Sequence, residues 1–424
     1  MPKPLLIIIR IIAIVLVSPA QAQQATTLSI DALAKTVLAN NPERRFYMEQ
    51  INLAGIERDT SNRLPDPEMS VEFGERRTAD AVTGAPAGSG PAYGVSIMQP
   101  IDFAGRGALR QAIAEHQIAL AKIGLAQFDS TLASRARSLG YALFVAEQKS
   151  AAAKDVAARM RALAKMIAQR ETAGPTSVLD TAILEASAIT SERNAAAADV
   201  RASAIVYELN QLRNSHLGMR IRVNQPDISL PGLLSADRMA QEVDANNFEL
   251  QSLRAQSRQQ GLRVDLAQRS RVPTVAVGPY YNQAKSDIRE TNFGVRLSTT
   301  LPLWNSQAAG VAQEQGRQSQ ADAALLAARR RIARRVFEQA ALYETSRKTL
   351  AGWAASTPDA LRAAATAADD NFRHGAIPIA TYVEMQRQYL DALSAFLDTK
   401  LEAFEALLQL RVLNGGRSFG GKVQ

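Results

Sequence analysis

The chain has 424 residues, 21% of them charged, with a net charge of +8 and no cysteine. Without cysteine there can be no disulfide, no thiolate-bound zinc and no lipid-modified N-terminal cysteine, so an exported chain of this kind must fold by packing alone. The excess arginines are scattered along helical segments and are not interleaved with aromatic residues, which argues for solvated helix faces and against a nucleic-acid surface.

Residues 1–22 read as a secretory signal. Lys3 supplies a positive start, 5–17 an apolar core interrupted by Arg10, and Ala20-Gln21-Ala22 a small-x-small cleavage site. The mature chain is expected to begin at Gln23. No later stretch approaches 18 consecutive apolar residues, so no helical membrane span is expected.

After the leader the sequence repeats itself. Residues 28–43 recur as 234–249, with nine of sixteen positions identical at an offset of 206. Arg63-Leu64-Pro65 then matches Arg271-Val272-Pro273, Tyr93-Gly94-Val95 matches Phe293-Gly294-Val295, and the turn at Gly174 matches the turn at Gly375. A period near 200 is too long for a solenoid and marks a duplicated half-protein. The first repeat spans 23–213, a linker rich in Pro and Gly spans 214–234, the second repeat spans 235–414, and 415–424 form a tail.

Each repeat follows one plan: short helix, helix, two strands, very long helix, tight turn, returning helix. Ser29 and Ser235 stand at N-cap positions, with Asp31 and Asp237 in the first turns. Pro65 and Pro273 close the second helices. Period-2 alternation predicts strands over about 67–77, 91–101, 273–283 and 291–303, joined by loops over 78–90 and roughly 284–291, with Pro279 predicting a bulge or an early end. Tyr93, Tyr280, Tyr281, Phe293 and Trp304 sit near strand ends, as in a membrane girdle. Residues 108–169 contain no proline and only two glycines, which predicts some sixty helical residues, roughly 90 Å long. The second copy runs over about 308–371, with a kink predicted at Pro358. The returning helices carry Tyr382, Met385, Tyr389 and Phe396, then Leu397, Leu401, Phe404 and Leu408, a pattern of coiled-coil pairing with the long helices. Four strands cannot close a barrel, and an open sheet leaves two edges bare; three chains would supply twelve strands.

The duplicated halves, paired hairpins and Gly-containing helical turns resemble the TolC family of outer-membrane efflux proteins. Gln99-Pro100-Ile101-Asp102-Phe103-Ala104-Gly105-Arg106 is similar to the strand-to-helix crossing of its heavy-metal and multidrug branches, and Leu64-Pro65-Asp66-Pro67 is similar to the metal branch. The resemblance implies a mainly α fold with a small β part, assembled as a homotrimeric twelve-stranded barrel in outer-membrane lipid above an α-helical periplasmic tunnel. It also implies a periplasmic adaptor and an inner-membrane pump as partners. The tip turns, Gly174-Pro175 and Gly375 with Pro378, would form the docking rim. The family's narrowing carboxylates fall on Asp180 and Ile183 in the first copy and on Thr381 and Glu384 in the second, so Glu384 is expected to form the constriction, with Asp180 in an inter-helix contact to Arg170 or Arg373. His116, His216 and His374 are scattered, and no catalytic, cofactor or metal site is expected. The expectation is a passive, gated exit duct for small molecules or metal cations. Alternatives are a duct for type I protein secretion and a periplasmic coiled-coil scaffold without a pore.

Overall fold

A computed structural model describes residues 26–169, 175–286, 288–300, 306–353 and 357–419. The leader, Arg170, Gly174, Trp304 and the last residues of the tail lie outside them.

The first repeat begins with β1 (Thr26–Leu28), α1 (Ile30–Asn40) and α2 (Glu43–Ser61). Ser29 caps α1, its hydroxyl accepting from the Ala32 N–H at 3.2 Å. Next come β2 (Glu68–Ala79), β3 (Pro86–Ile101), α3 (Arg106–Ala168) and α4 (Pro175–Leu212). At 63 residues, α3 extends for about 95 Å. A short strand within the linker, β4 (Ile221–Val223), pairs in parallel with β1; neither has enough alternation to stand out in the sequence. The second repeat runs α5 (Ala236–Asn246), α6 (Phe248–Arg269), β5 (Val275–Lys285), β6 (Arg289–Thr299), α7 (Ser306–Ala351), α8 (Thr357–Arg373) and α9 (Ile379–Leu413).

The repetition extends to individual bonds. Asn41 donates from Nδ2 to the Leu212 carbonyl at 2.9 Å, and Asn247 donates to the Leu413 carbonyl at 2.8 Å. Each closes the orphaned C-terminal end of a returning helix. Ser235, unlike Ser29, makes no side-chain cap bond.

The four long strands form one antiparallel sheet in the order β2-β3-β5-β6, so β2 and β6 are free edges. The hairpin loops are shorter than the composition suggested, because the strands run further into them. The β2–β3 irregularity falls at Thr78/Ala79, and the ladder from β5 to β6 pairs straight through Pro279 opposite Val295. On its other side the β3–β5 ladder lapses between Ser96–Tyr280 and Gln99–Val277 with the register unchanged, so neither the expected bulge nor an early end occurs and the disturbance is confined to one side of Pro279. Its neighbour Gly278 passes so near the Ile97 carbonyl that a Cβ there would stand 1.7 Å from the oxygen, so only glycine fits. Pro358, predicted to kink one long helix, instead lies in the first turn of a separate helix, where proline is tolerated. Just before the break, Trp353 stacks on Phe396 at 5.4 Å.

Among the described residues no helix is long and apolar enough to cross a membrane. The sheet carries the large exposed apolar surface. Cross-strand register puts Met69, Val71, Phe73, Tyr93, Val95, Ile97, Tyr281, Phe293, Val295 and Leu297 on one face, all exposed. Tyr280 falls on the opposite face, under the Arg296 guanidinium at 5.2 Å, and so leaves the predicted aromatic girdle. Glu72, Asn282 and Asn292 share that polar face.

Candidate functional site

At the far end of the helices α8 turns into α9. Gly375 adopts φ +72°; its N–H donates to the Phe372 carbonyl at 2.9 Å, and the Ala376 N–H donates to the Asn371 carbonyl at 2.8 Å. This is a Schellman ending. A Cβ on Gly375 would meet nothing within 4 Å, so the glycine is required by backbone conformation and not by space. Pro378 is the N-cap of α9, and its carbonyl accepts from the Tyr382 N–H at 3.1 Å. Of the matching first turn, Pro175 opens α4.

Behind the turn, α3, α8 and α9 share a core in which Val156, Met160 and Leu163 pack with Ala365, Ala368, Tyr382 and Tyr389. Polar groups are built into it. Asp369 is 8% exposed. Its carboxylate accepts from Arg373 Nε at 2.8 Å and from the Tyr382 hydroxyl at 3.3 Å. Burial, reinforced by the neighbouring Asp369 charge, raises the Tyr382 phenol well above its ordinary pKa, so the hydroxyl stays protonated and donating. From α3, Arg159 pairs with Asp155 and donates to Thr366 Oγ1 of α8 at 3.3 Å. Burial alone would lower the pKa of this guanidinium; the bond to Asp155 and the fields of Asp155, Asp369 and Tyr382 outweigh it and raise the net value. A lock of hydrogen bonds and charges therefore joins the first repeat to the second.

Sequence reasoning placed the tip contact elsewhere. Arg373 is committed to Asp369 on its own helix and not to Asp180. Asp180 is half-buried on α4 and forms no ion pair among the described residues. Glu384 is exposed and accepts from Arg387 at 2.8 Å and from Gln388 at 2.6 Å. Those bonds hold its carboxyl below the usual carboxylate range. Glu384 also opens a stripe that the sequence reading missed. Glu384, Asp391, Asp398 and Glu405 recur every seven residues of α9, with Glu402 between the last two, all on the face opposite the buried Tyr382, Gln386, Tyr389 and Leu393. The signal was present as a heptad of carboxylates. Among the described residues no group of His, Asp and Glu could hold a metal ion.

Comparison with known proteins places these features. Residues 239–416 match the family model described as Outer membrane efflux protein. No curated protein matches the sequence significantly. Solved structures share the architecture across nearly the full length. OprN, an outer-membrane channel, is 17% identical, with a TM-score of 0.73 over 92% of this chain and 90% of that one. CusC is 13% identical, with a TM-score of 0.72 over 93% and 94%. The MtrE outer membrane channel of Neisseria gonorrhoeae, solved in an open state, is 14% identical, with a TM-score of 0.69 over 92% and 91%. The second repeat thus matches the outer membrane efflux protein family model, and the fold of the whole chain is similar to that of the solved outer-membrane channels.

Proposed function

We propose that the protein is the passive exit duct of a tripartite efflux system, gated at the helical tip by a periplasmic adaptor and an inner-membrane pump. The observation that carries this reading is the sheet. Four antiparallel strands end in two free edges, and one whole face is apolar and exposed. Alone, such a sheet invites aggregation. Three copies joined edge to edge close twelve strands with the apolar face toward lipid, and no edge remains. The leader at 1–22 would deliver the chain across the inner membrane, and the turns at Gly174-Pro175 and Gly375 with Pro378 would meet the adaptor. The cargo is small molecules or metal cations, passed without chemistry.

The protein is expected in the outer-membrane fraction as a heat-modifiable trimer that conducts in planar bilayers. Recovery as a soluble periplasmic monomer overturns the duct. Within it, Glu384 is the inner constriction and the α9 stripe behind it favours cations. Glu384→Gln should lower cation selectivity, and adding Asp391→Asn should lower it further; unchanged selectivity in both removes α9 from the bore. Because Arg387 depresses the Glu384 pKa, the charged pair persists above the lowered value and is lost only as pH falls through it. Selectivity should therefore hold through mild acid and fail only below the ordinary carboxylate range.

A further inference from the structure

Two runs of alanine fall in the helical part of the chain, Ala151-Ala152-Ala153 in α3 and Ala195-Ala196-Ala197-Ala198 in α4. Both returning helices lean on α3. Leu184 and Ala188 of α4 and Leu393, Leu397 and Leu401 of α9 join its core. An alanine side chain reaches only one carbon beyond the backbone, so the space between α4 and α9 is left unfilled where these runs face it. The result is a cavity of about 310 Å³, lined by Ala152 and Ala153, by Ala197 and Ala198, and by Leu393 and Leu401. A second cavity of about 280 Å³, reaching to Met160 and Val383, shares Asn194, Leu390 and Asp391 with the first, so the two form one groove along α4 and α9. Its size and its apolar floor are those of a small-molecule site, for which roughly 300–1,000 Å³ is usual.

The charges on this groove are set in order along it. Four charged side chains line the larger cavity: Lys149, Arg201, Asp391 and Asp398. Lys149 and Asp398 satisfy each other at 2.6 Å. Asp391 and Arg201 are both exposed and have no ion pair or side-chain hydrogen bond among the described residues. Asp391 stands where the two cavities join, with Asn194 of α4. Arg201 follows Asn194 by seven residues on α4, a rise of about 10 Å. One unmatched acid and one unmatched base thus stand about two helical turns apart over an alanine floor.

From this we propose that the groove between α4 and α9 binds an amphoteric molecule, its apolar body on the alanine floor, its ammonium group at Asp391 and its carboxylate at Arg201. A purely cationic ligand would lie against Arg201 and a purely anionic one against Asp391, whereas a zwitterion of matching length answers both. Asp391 also belongs to the carboxylate stripe that the duct reading turns toward the bore, and on that reading the groove is a holding point for amphoteric cargo in the tunnel wall.

The test is saturation-transfer NMR on the purified full-length protein in detergent, with 8-aminooctanoate as the probe and octylamine and octanoate as its singly charged counterparts. The zwitterion should bind severalfold more tightly than either counterpart. Asp391→Asn should abolish its advantage over octanoate, and Arg201→Gln its advantage over octylamine. Ala198→Leu, which fills the floor and leaves both charges in place, should weaken all three probes. Because Asp391 and Arg201 are exposed, their variants should keep the wild-type thermal midpoint. In planar bilayers 8-aminooctanoate should lower the conductance of the wild-type channel and leave that of Ala198→Leu unchanged. Equal binding of the three probes, or binding that none of the variants alters, overturns the groove and leaves the duct standing. A protein that binds the zwitterion with these variant effects but conducts nothing keeps the groove and overturns the duct.

Discussion

Replacing Asp369 by alanine is expected to spring the tip open. The carboxylate is buried between α8 and α9, where it holds Arg373 and Tyr382 and lies in the field of Arg159 from α3. Its removal leaves the Tyr382 hydroxyl and the Arg373 guanidinium without their common acceptor, and Arg159 without a nearby negative charge. Arg373 is 38% exposed and partly rehydrates, so the loss is about 2 kcal/mol per protomer, below that of a fully buried pair. That is roughly a thirtyfold shift in a two-state equilibrium, and in a trimer it acts three times. Cells carrying Asp369→Ala should become sensitive to a large antibiotic normally excluded by the outer membrane, and the purified channel should conduct more strongly without adaptor. Tyr382→Phe removes a single hydrogen bond and should show the same change at about 1 kcal/mol. Wild-type conductance and resistance in Asp369→Ala would mean that the lock has no part in the gate.

The lock also shows which features were legible in the sequence. The duplication, the long helices, the two hairpins and the Gly375 turn all have local signals: identical residues at fixed offset, a 3.6-residue period, a 2-residue period, and a glycine followed by a proline. Asp369 and Tyr382 have none. They are thirteen residues apart across a turn, and their meeting depends on how α8 folds back on α9. The sequence reading likewise offered Arg170 or Arg373 as the partner of Asp180 on another helix; Arg170 lies outside the described residues, and Arg373 pairs with a carboxylate four residues away on its own helix face. The β1–β4 pair escaped notice because three-residue strands carry too little alternation. Pro279 was legible in part: the ladder to β3 lapses beside it, as a residue without an N–H suggests, but the ladder to β6 continues and β5 keeps its register on both sides. Glu384 was legible as a residue, while the carboxylate stripe it begins became clear only once the buried face of α9 fixed which residues share its outer side.

Gln386 leads to the opposite expectation from Asp369. It is wholly buried in the stripe Tyr382, Gln386, Tyr389, Leu393, and its Nε2 donates to the Ala365 carbonyl at 2.7 Å. Its Oε1 has no partner among the described residues. A half-satisfied amide inside a coiled coil weakens the closed packing, because an unpaired buried acceptor costs about 1–3 kcal/mol while the bond it does make returns about 1. In the proposed gate, drawing α3 away from α8 and α9 would let water reach the stripe and remove that penalty. The residue would then narrow the gap between closed and open states and oppose the Asp369 lock. Leucine fills nearly the same volume, abolishes the unpaired oxygen and continues the apolar stripe of Tyr382, Tyr389 and Leu393. Gln386→Leu should therefore raise the midpoint of thermal unfolding and stabilise the closed tip by about 1.5 kcal/mol per protomer, roughly tenfold in the opening equilibrium. Efflux should fall although the protein is more stable and equally abundant in the membrane. The Gln386→Leu, Asp369→Ala double variant should return toward wild-type conductance, since the two changes push one equilibrium in opposite directions. A destabilised Gln386→Leu protein, or a stabilised one with undiminished efflux, would show that the buried amide does not set the balance of the gate.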